Sequence, residues 1–286
     1  MNILQAVVLG AVQGLAEFLP VSSSGHLVLV QKIFGMETGS VTLEVLMHLG
    51  TLIAVFAVYW REIWEMIRHP WKSDLKWLIV ATIPAVVMRL LYTDLFVEIF
   101  AGTGAEGVFT AIRDGLGGFI DTAFAGGFLG WAFLMTSVIL MLGEWLSARA
   151  MKRHKSVRGL DAVVMGFMQA VAVLPGVSRS GSTIAGGRAM GLNGKKTADF
   201  AFLMSIPAIL GAVVMDGKDI LTGEIAEALP VVPMIVGVLV SMVFGFIAIR
   251  FMIAAVKKSG MKWFAVYTFV LGVLVLVDQY ILHIFF

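Results

Sequence analysis

Cysteine is absent from the 286 residues, which excludes disulfides, thiolate zinc sites, iron–sulfur clusters and cysteine nucleophiles. Charge is scarce too. Asp, Glu, Lys and Arg make up 14% of the chain, against ~25% in soluble domains. With 59% hydrophobic residues and a mean hydropathy of +0.94, a water-soluble globule is excluded and the chain belongs in a bilayer. The net charge is +2 and the pI near 8.9. Basic residues fall in short clusters between apolar runs and form no continuous face, so no nucleic acid partner is expected. Met1 and Asn2 precede no basic stretch, and Gln13 and Glu17 interrupt the first apolar run, so no cleaved signal peptide is expected.

What is present is a series of apolar runs. A membrane-spanning helix needs roughly 20 largely apolar residues, and six runs qualify: Leu43 to Trp60, Trp77 to Phe96, Ala123 to Leu146, Ala198 to Met215, Leu229 to Phe251 and Trp263 to Phe286. Two shorter runs, Ile3 to Leu19 and Leu160 to Leu174, each end in a Pro/Ser/Gly cluster and read as re-entrant broken helices. Irregular backbone at that depth must be buried in protein or line a wet cavity. The expected fold is an all-α integral membrane protein forming one domain, residues 1–286.

Lys and Arg collect at 61–76, 149–158 and 250–262, whereas the alternate connections, Asp94 to Asp121 and Asp216 to Glu227, are mostly acidic and Gly-rich. The basic connections are therefore expected in the cytoplasm. Tryptophans at the span ends read as interfacial anchors. Sliding the chain by 156 positions (166 minus 10) pairs Gly10, Gln13, Ser22, Ser24, Gly25 and Gly35 with Gly166, Gln169, Ser178, Ser180, Gly181 and Gly191. By the charge pattern the two repeats, approximately 1–60 and 158–217, enter the membrane from opposite sides. Inverted repeats with broken helices build a site between them near the midplane.

The chemistry-bearing residues lie in those broken segments. Gln13 and Glu17 share one helical face before Pro20-Val21-Ser22-Ser23-Ser24-Gly25-His26. An ionisable residue in a membrane segment costs roughly 2.5 to 3.5 kcal/mol on insertion scales and needs a partner or a role. In the second segment, Ser178-Arg179-Ser180-Gly181 sets a guanidinium among hydroxyls and glycine amides, a combination suited to phosphate oxygens. A serine or histidine to attack phosphorus, Glu17 as base or metal ligand and Arg179 to stabilise charge make hydrolysis feasible. The hard oxygen donors favour Mg²⁺ or Ca²⁺. His48, Glu44 and Arg89 are equally well read as site residues or as interhelical hydrogen-bonding groups.

Q-G-L-A-E-F-L-P-V-S-S-S-G-H at Gln13 to His26 and L-P-G-V-S-R-S-G-S-T at Leu174 to Thr183 resemble the two signature motifs of the bacitracin-resistance type undecaprenyl-diphosphate phosphatases. The likeness extends more loosely through Leu43 to Leu52 and Ile83-Pro84-Ala85. It implies hydrolysis of undecaprenyl diphosphate to the monophosphate carrier lipid used for cell-wall polymers, in a metal-dependent site opening to the outer face of the plasma membrane. It implies Glu17, Ser23, His26 and Arg179 as catalytic residues, with Ser23 as nucleophile and His26 as activating base or alternative nucleophile. Ser22, Ser24, Gly25, Ser178, Ser180 and Gly181 would bind substrate, and Gln13 and Glu17 the metal. Two departures stand out: Gln13 occupies a position where the family also uses Glu, and Val97 to Asp121 is longer than expected. That extra region would cover the site or serve oligomer contacts, a homodimer among them. The rival readings are a transporter or flippase for a phosphorylated polyprenyl lipid or anion, and the other class of membrane lipid phosphatases. The latter needs a histidine after the S-R motif, and none occurs between Arg179 and Phe200.

Overall fold

The structure is a computed structural model that describes residues 1–36, 41–91, 99, 101, 106–124, 127–150, 156–222, 230–258 and 260–286. Among these the regular structure is entirely helical. The α-helices are α1 (Ile3–Phe18), α2 (Ser23–Ile33), α3 (Val41–Arg68), α4 (Leu75–Leu91), α5 (Glu106–Phe124), α6 (Leu129–Arg149), α7 (Gly159–Val171), α8 (Arg179–Ala189), α9 (Gly194–Thr222), α10 (Val231–Lys258) and α11 (Lys262–Val277). The last continues as a π-helical turn, Asp278–Leu282.

Five stretches are long and apolar enough to cross a membrane: Val45–Arg68, Leu129–Arg149, Gly194–Val214, Val231–Val256 and Lys262–Leu282. The protein is thus a multi-pass membrane protein. The sixth expected span is represented by α4, whose 17 residues run up to a segment outside the described residues. Large apolar side chains on the outer helix faces, such as Val214, Leu239, Phe251 and Leu274, are exposed, as contact with lipid requires. The expected external connection before Asp121 is in part a helix, α5. Its apolar residues Val108, Phe109, Ile112, Leu116 and Phe119 recur at helical spacing, a pattern that the count of acidic and glycine residues conceals. The remainder of that region falls largely outside the described residues.

Proline determines where the first helix stops. A proline disfavours helical geometry at the residue before it, and Leu19, preceding Pro20, is extended at φ −75°, ψ 145°. After the break, the Ser22 hydroxyl accepts from the Gly25 amide to start α2. In the second broken segment Gly176 turns the chain at φ +84°, and the Ser178 hydroxyl accepts from the Gly181 amide to start α8. Both short helices end alike: Gly35 and Gly191 take positive φ, their amides bond to the carbonyls of Lys32 and Arg188, and those of Met36 and Leu192 reach Gln31 and Gly187.

The offset of 156 recurs in the packing. A Cβ on Gly10 would meet the Gly237 carbonyl oxygen at 2.5 Å, and one on Gly166 would meet that of Ala81 at 2.5 Å. Glycine thus lets α1 lie against α10 and α7 against α4, backbone to backbone. Polar contacts tie together the ends carrying the basic connections. Arg188 donates to the Glu144 carboxylate and the Val256 carbonyl, Glu144 accepts from the Met261 amide, and Lys196 pairs with Asp74.

Candidate active site

The two broken segments meet, and each braces the other. The Gly176 amide donates to the Ser24 hydroxyl at 3.1 Å, and the Ser180 hydroxyl donates to the Leu19 carbonyl at 2.9 Å. Between them and the helices α3, α4, α7 and α9 lies a cavity of ≈ 300 Å³. Glu17, Ser23, Ser24, Ser178, Arg179 and Ser180 line it, together with His48, Arg89 and Gln169.

Glu17 is the hub. Its carboxylate is 3% exposed and accepts from Ser23 Oγ at 2.6 Å and Gln13 Nε2 at 3.0 Å; Arg179 pairs with the other oxygen, and His48 Nε2 lies 3.5 Å away. Arg179 and Ser23 are the first residues of α8 and α2, so two helix N-termini converge on the cavity and add partial positive charge. A buried carboxylate is tolerable only with such neighbours. The arrangement gives a hydroxyl hydrogen-bonded to a carboxylate, with a guanidinium beside it, on the wall of one chamber.

Several expected residues stand outside the chamber wall. His26 does not line the cavity. Its Nδ1 lies 2.7 Å from the Ser22 carbonyl and its Nε2 2.7 Å from the Tyr267 hydroxyl, with the Tyr267 ring stacked at 5.7 Å and Phe133 edge-on at 5.4 Å. The histidine thus braces the turn before Ser23, a placement the chain spacing leaves open. Ser22 acts as the N-cap of α2 in an unusual conformation, φ +75°. Gly25 and Gly181 are packing glycines: a Cβ would meet Phe133 at 2.7 Å in the first case and the Ser178 hydroxyl at 2.9 Å in the second. Gln13 is fully buried behind Glu17 with its Oε1 unbonded.

Other residues gain standing. Arg89, a lone charge in an apolar run, proves to be a second cation on the cavity wall; that isolation was the signal. Gln169 lines the cavity with its amide buried and neither Nε2 nor Oε1 hydrogen-bonded. Its pairing with Gln13 in the repeat marked it. Tyr267 carries no sequence signal, since it sits in an apolar, largely exposed helix. The side chain of Glu44 lies outside the described residues.

Residues 6–274 match the family described as bacitracin resistance protein BacA. The chain belongs to that family. Full-length relatives agree. It is 38% identical over 283 residues to the undecaprenyl-diphosphatase of Carboxydothermus hydrogenoformans, with 98% of each chain covered. It is 36% identical to undecaprenyl-diphosphatase 4 of Bacillus thuringiensis over the whole of both chains. The undecaprenyl-diphosphatase of Methanosphaera stadtmanae is 33% identical, with 99% of this chain and 100% of the relative covered. The BacA match encloses both broken segments and thus every residue of the Glu17 cluster.

A divalent cation can be tested against the donors present. Among the described residues no group of three His, Asp or Glu side chains converges, so a zinc-type cage does not fit. A hard cation bound through a single carboxylate, with phosphate oxygens completing its shell, does fit. Glu17 would supply the carboxylate, and the unbonded Oε1 of Gln13 would be the neighbouring oxygen.

Proposed function

We propose that this BacA-family protein hydrolyses undecaprenyl diphosphate to undecaprenyl phosphate and inorganic phosphate, recycling the carrier lipid for cell-wall synthesis and conferring bacitracin resistance. The observation that carries the reading is the 2.6 Å contact between Ser23 Oγ and Glu17 Oε2 beside Arg179. A carrier needs phosphate-binding groups but no nucleophile held on a base.

In this reading Arg179 and Arg89 grip the diphosphate and Glu17 takes the Ser23 proton. Ser23 Oγ then bonds to the terminal phosphorus as the bond from that phosphorus to the bridging oxygen breaks. Undecaprenyl phosphate leaves with that proton, passed from Glu17 to the former bridging oxygen, which restores the carboxylate. A water molecule, giving a proton to Glu17, then attacks the phosphoserine; the bond from phosphorus to Ser23 Oγ breaks, Glu17 returns the proton to Ser23, and inorganic phosphate is released. Transfer of Arg179 from Glu17 to the phosphate leaves the carboxylate free to hold the Ser23 proton. His26, bonded to the Ser22 carbonyl, holds the nucleophile's turn. Ser178 and the unbonded amide of Gln169 offer further hydrogen bonds to phosphate oxygens. Gln13 and Glu17 would hold Mg²⁺ or Ca²⁺, which supplies charge neutralisation on the diphosphate when bound.

The protein works in the plasma membrane with its repeats in opposite senses. The polar contacts joining the ends near Asp74, Glu144 and Met261 support a common cytoplasmic side. The site then opens toward the outer side. A homodimer is compatible with this arrangement. The deciding experiment is phosphate release from undecaprenyl diphosphate by the purified protein with Mg²⁺ or Ca²⁺. Binding of the lipid without release would replace the phosphatase reading by that of a transporter or flippase.

A further inference from the structure

A second opening adjoins the polar chamber. It is a groove of ≈ 460 Å³ between α4 and α9, reaching the far end of α3 at Ile67. Thr82, Val86 and Pro207 line both spaces, so the two lie side by side. Thr82 is the groove's one polar side chain, and its hydroxyl is committed to the Leu78 carbonyl at 2.7 Å. The groove therefore offers a ligand nothing but apolar surface.

The repeat shows that this groove is built rather than incidental. Gly237, which meets Gly10, corresponds to Ala81, which meets Gly166, at the offset of 156, hence Val238 to Thr82 and Ser241 to Ala85; in the facing helix the offset is one residue longer, 157, which matches Leu46-Met47 with Leu203-Met204 and pairs Gly50 with Pro207. In the first pairing α3 and α10 are shut against each other. A Cβ on Gly50 would meet the Val238 carbonyl oxygen at 2.4 Å, and Ser241 donates to the Met47 carbonyl at 2.9 Å. In the second pairing the glycine has become a proline and the serine an alanine, so neither the close approach nor the bond can form. The helices part where the polar chamber opens.

Resting on the phosphatase reading above, we infer that the α4–α9 groove holds the first part of the substrate's polyprenyl tail, with the diphosphate in the adjoining chamber. Lipid is as apolar as the groove, so entry gains no hydrophobic energy. What the groove contributes is shape: it aligns a tail whose head is fixed by Arg179, and so favours long chains over short ones.

The test compares kcat/KM for undecaprenyl diphosphate with that for isopentenyl diphosphate, whose five carbons leave most of the groove empty, in the purified protein. Ile79→Trp and Leu210→Trp, which fill the groove, should lower the long-chain preference by about tenfold, the scale of a pocket misfit. Val138→Trp, on an exposed face of α6 away from the groove, should leave the preference unchanged. An unaltered preference in both groove variants, or an equal loss with Val138→Trp, overturns the inference. A photoreactive polyprenyl diphosphate should crosslink to α4 and α9 of the wild-type protein; labelling confined to other helices overturns it without reference to turnover. Failure of the wild-type protein to release phosphate from either substrate would instead remove the phosphatase reading, leaving the crosslink to decide the groove.

Discussion

Ser23 Oγ stands 2.6 Å from Glu17 Oε2, although a proline and a helix break separate the two residues. The break makes the contact: α1 ends after Phe18, the chain turns through Pro20, and α2 restarts with Ser23 facing back toward the last turn of α1.

Ser23→Ala should abolish phosphate release, a loss of at least about a thousandfold if the serine is the nucleophile, while the protein keeps its thermal midpoint. Acid quenching of the wild-type protein with undecaprenyl diphosphate, followed by peptide mass spectrometry, should find phosphate on Ser23. Phosphate on His26 would reverse the assignment.

Glu17→Gln should cost both turnover and stability. Arg179 would lose its countercharge in a poorly solvated site, a penalty on the order of 3 kcal/mol when one partner of a buried pair is removed. The double variant Glu17→Gln/Arg179→Gln should regain much of the thermal midpoint yet stay inactive, and a melt of all three variants in detergent checks this.

Tyr267→Phe should lower kcat by about tenfold with KM little changed, because the ring stays stacked while the hydroxyl bond that fixes His26 is lost, and small misplacements of reacting groups are costly. Steady-state kinetics with undecaprenyl diphosphate reads this split. A rise in KM alone would mean that Tyr267 serves substrate binding instead.

Gly50→Ala and Gly166→Ala should each destabilise the fold by about 1–3 kcal/mol, the cost of overpacking, since their Cβ atoms would meet backbone oxygens at 2.4 and 2.5 Å. Gly115→Ala, whose Cβ would meet open space, should leave the melting temperature unchanged or raise it.

Gln13→Glu should lower the Mg²⁺ concentration for half-maximal thermal stabilisation by about tenfold, since a second carboxylate beside Glu17 raises the charge offered to a hard cation. Without metal the variant should melt lower than the wild-type protein, because two carboxylates would repel in a buried place. Equal Mg²⁺ responses would remove Gln13 from the metal site.

Much of this was legible in the chain because lipid imposes simple rules. Apolar length marked the spans, and the charge of Glu17 and Arg179 in apolar surroundings marked the site, since neither is tolerated there without a partner. Pro20 and Gly176 marked the breaks because each restricts or frees the backbone locally. Helix α5 was missed because its apolar face is interleaved with acidic and glycine residues, which dominate composition but not periodicity.

By itself the sequence determined the membrane class, the repeated segments and the identity of the polar residues, all of which follow from local chemistry and spacing. Only the tertiary structure decided which polar groups meet. His26 lies close to Ser23 in the chain yet faces Tyr267, 241 positions away, while Arg179 reaches Glu17 across 162 positions. The physical reason is that a helix start fixes the directions of its side chains, and what each then meets depends on the helices packed around it. For the same reason, glycine in one half and proline in the other, both plain in the sequence, became a closed seam and an open groove only once the helices were set side by side.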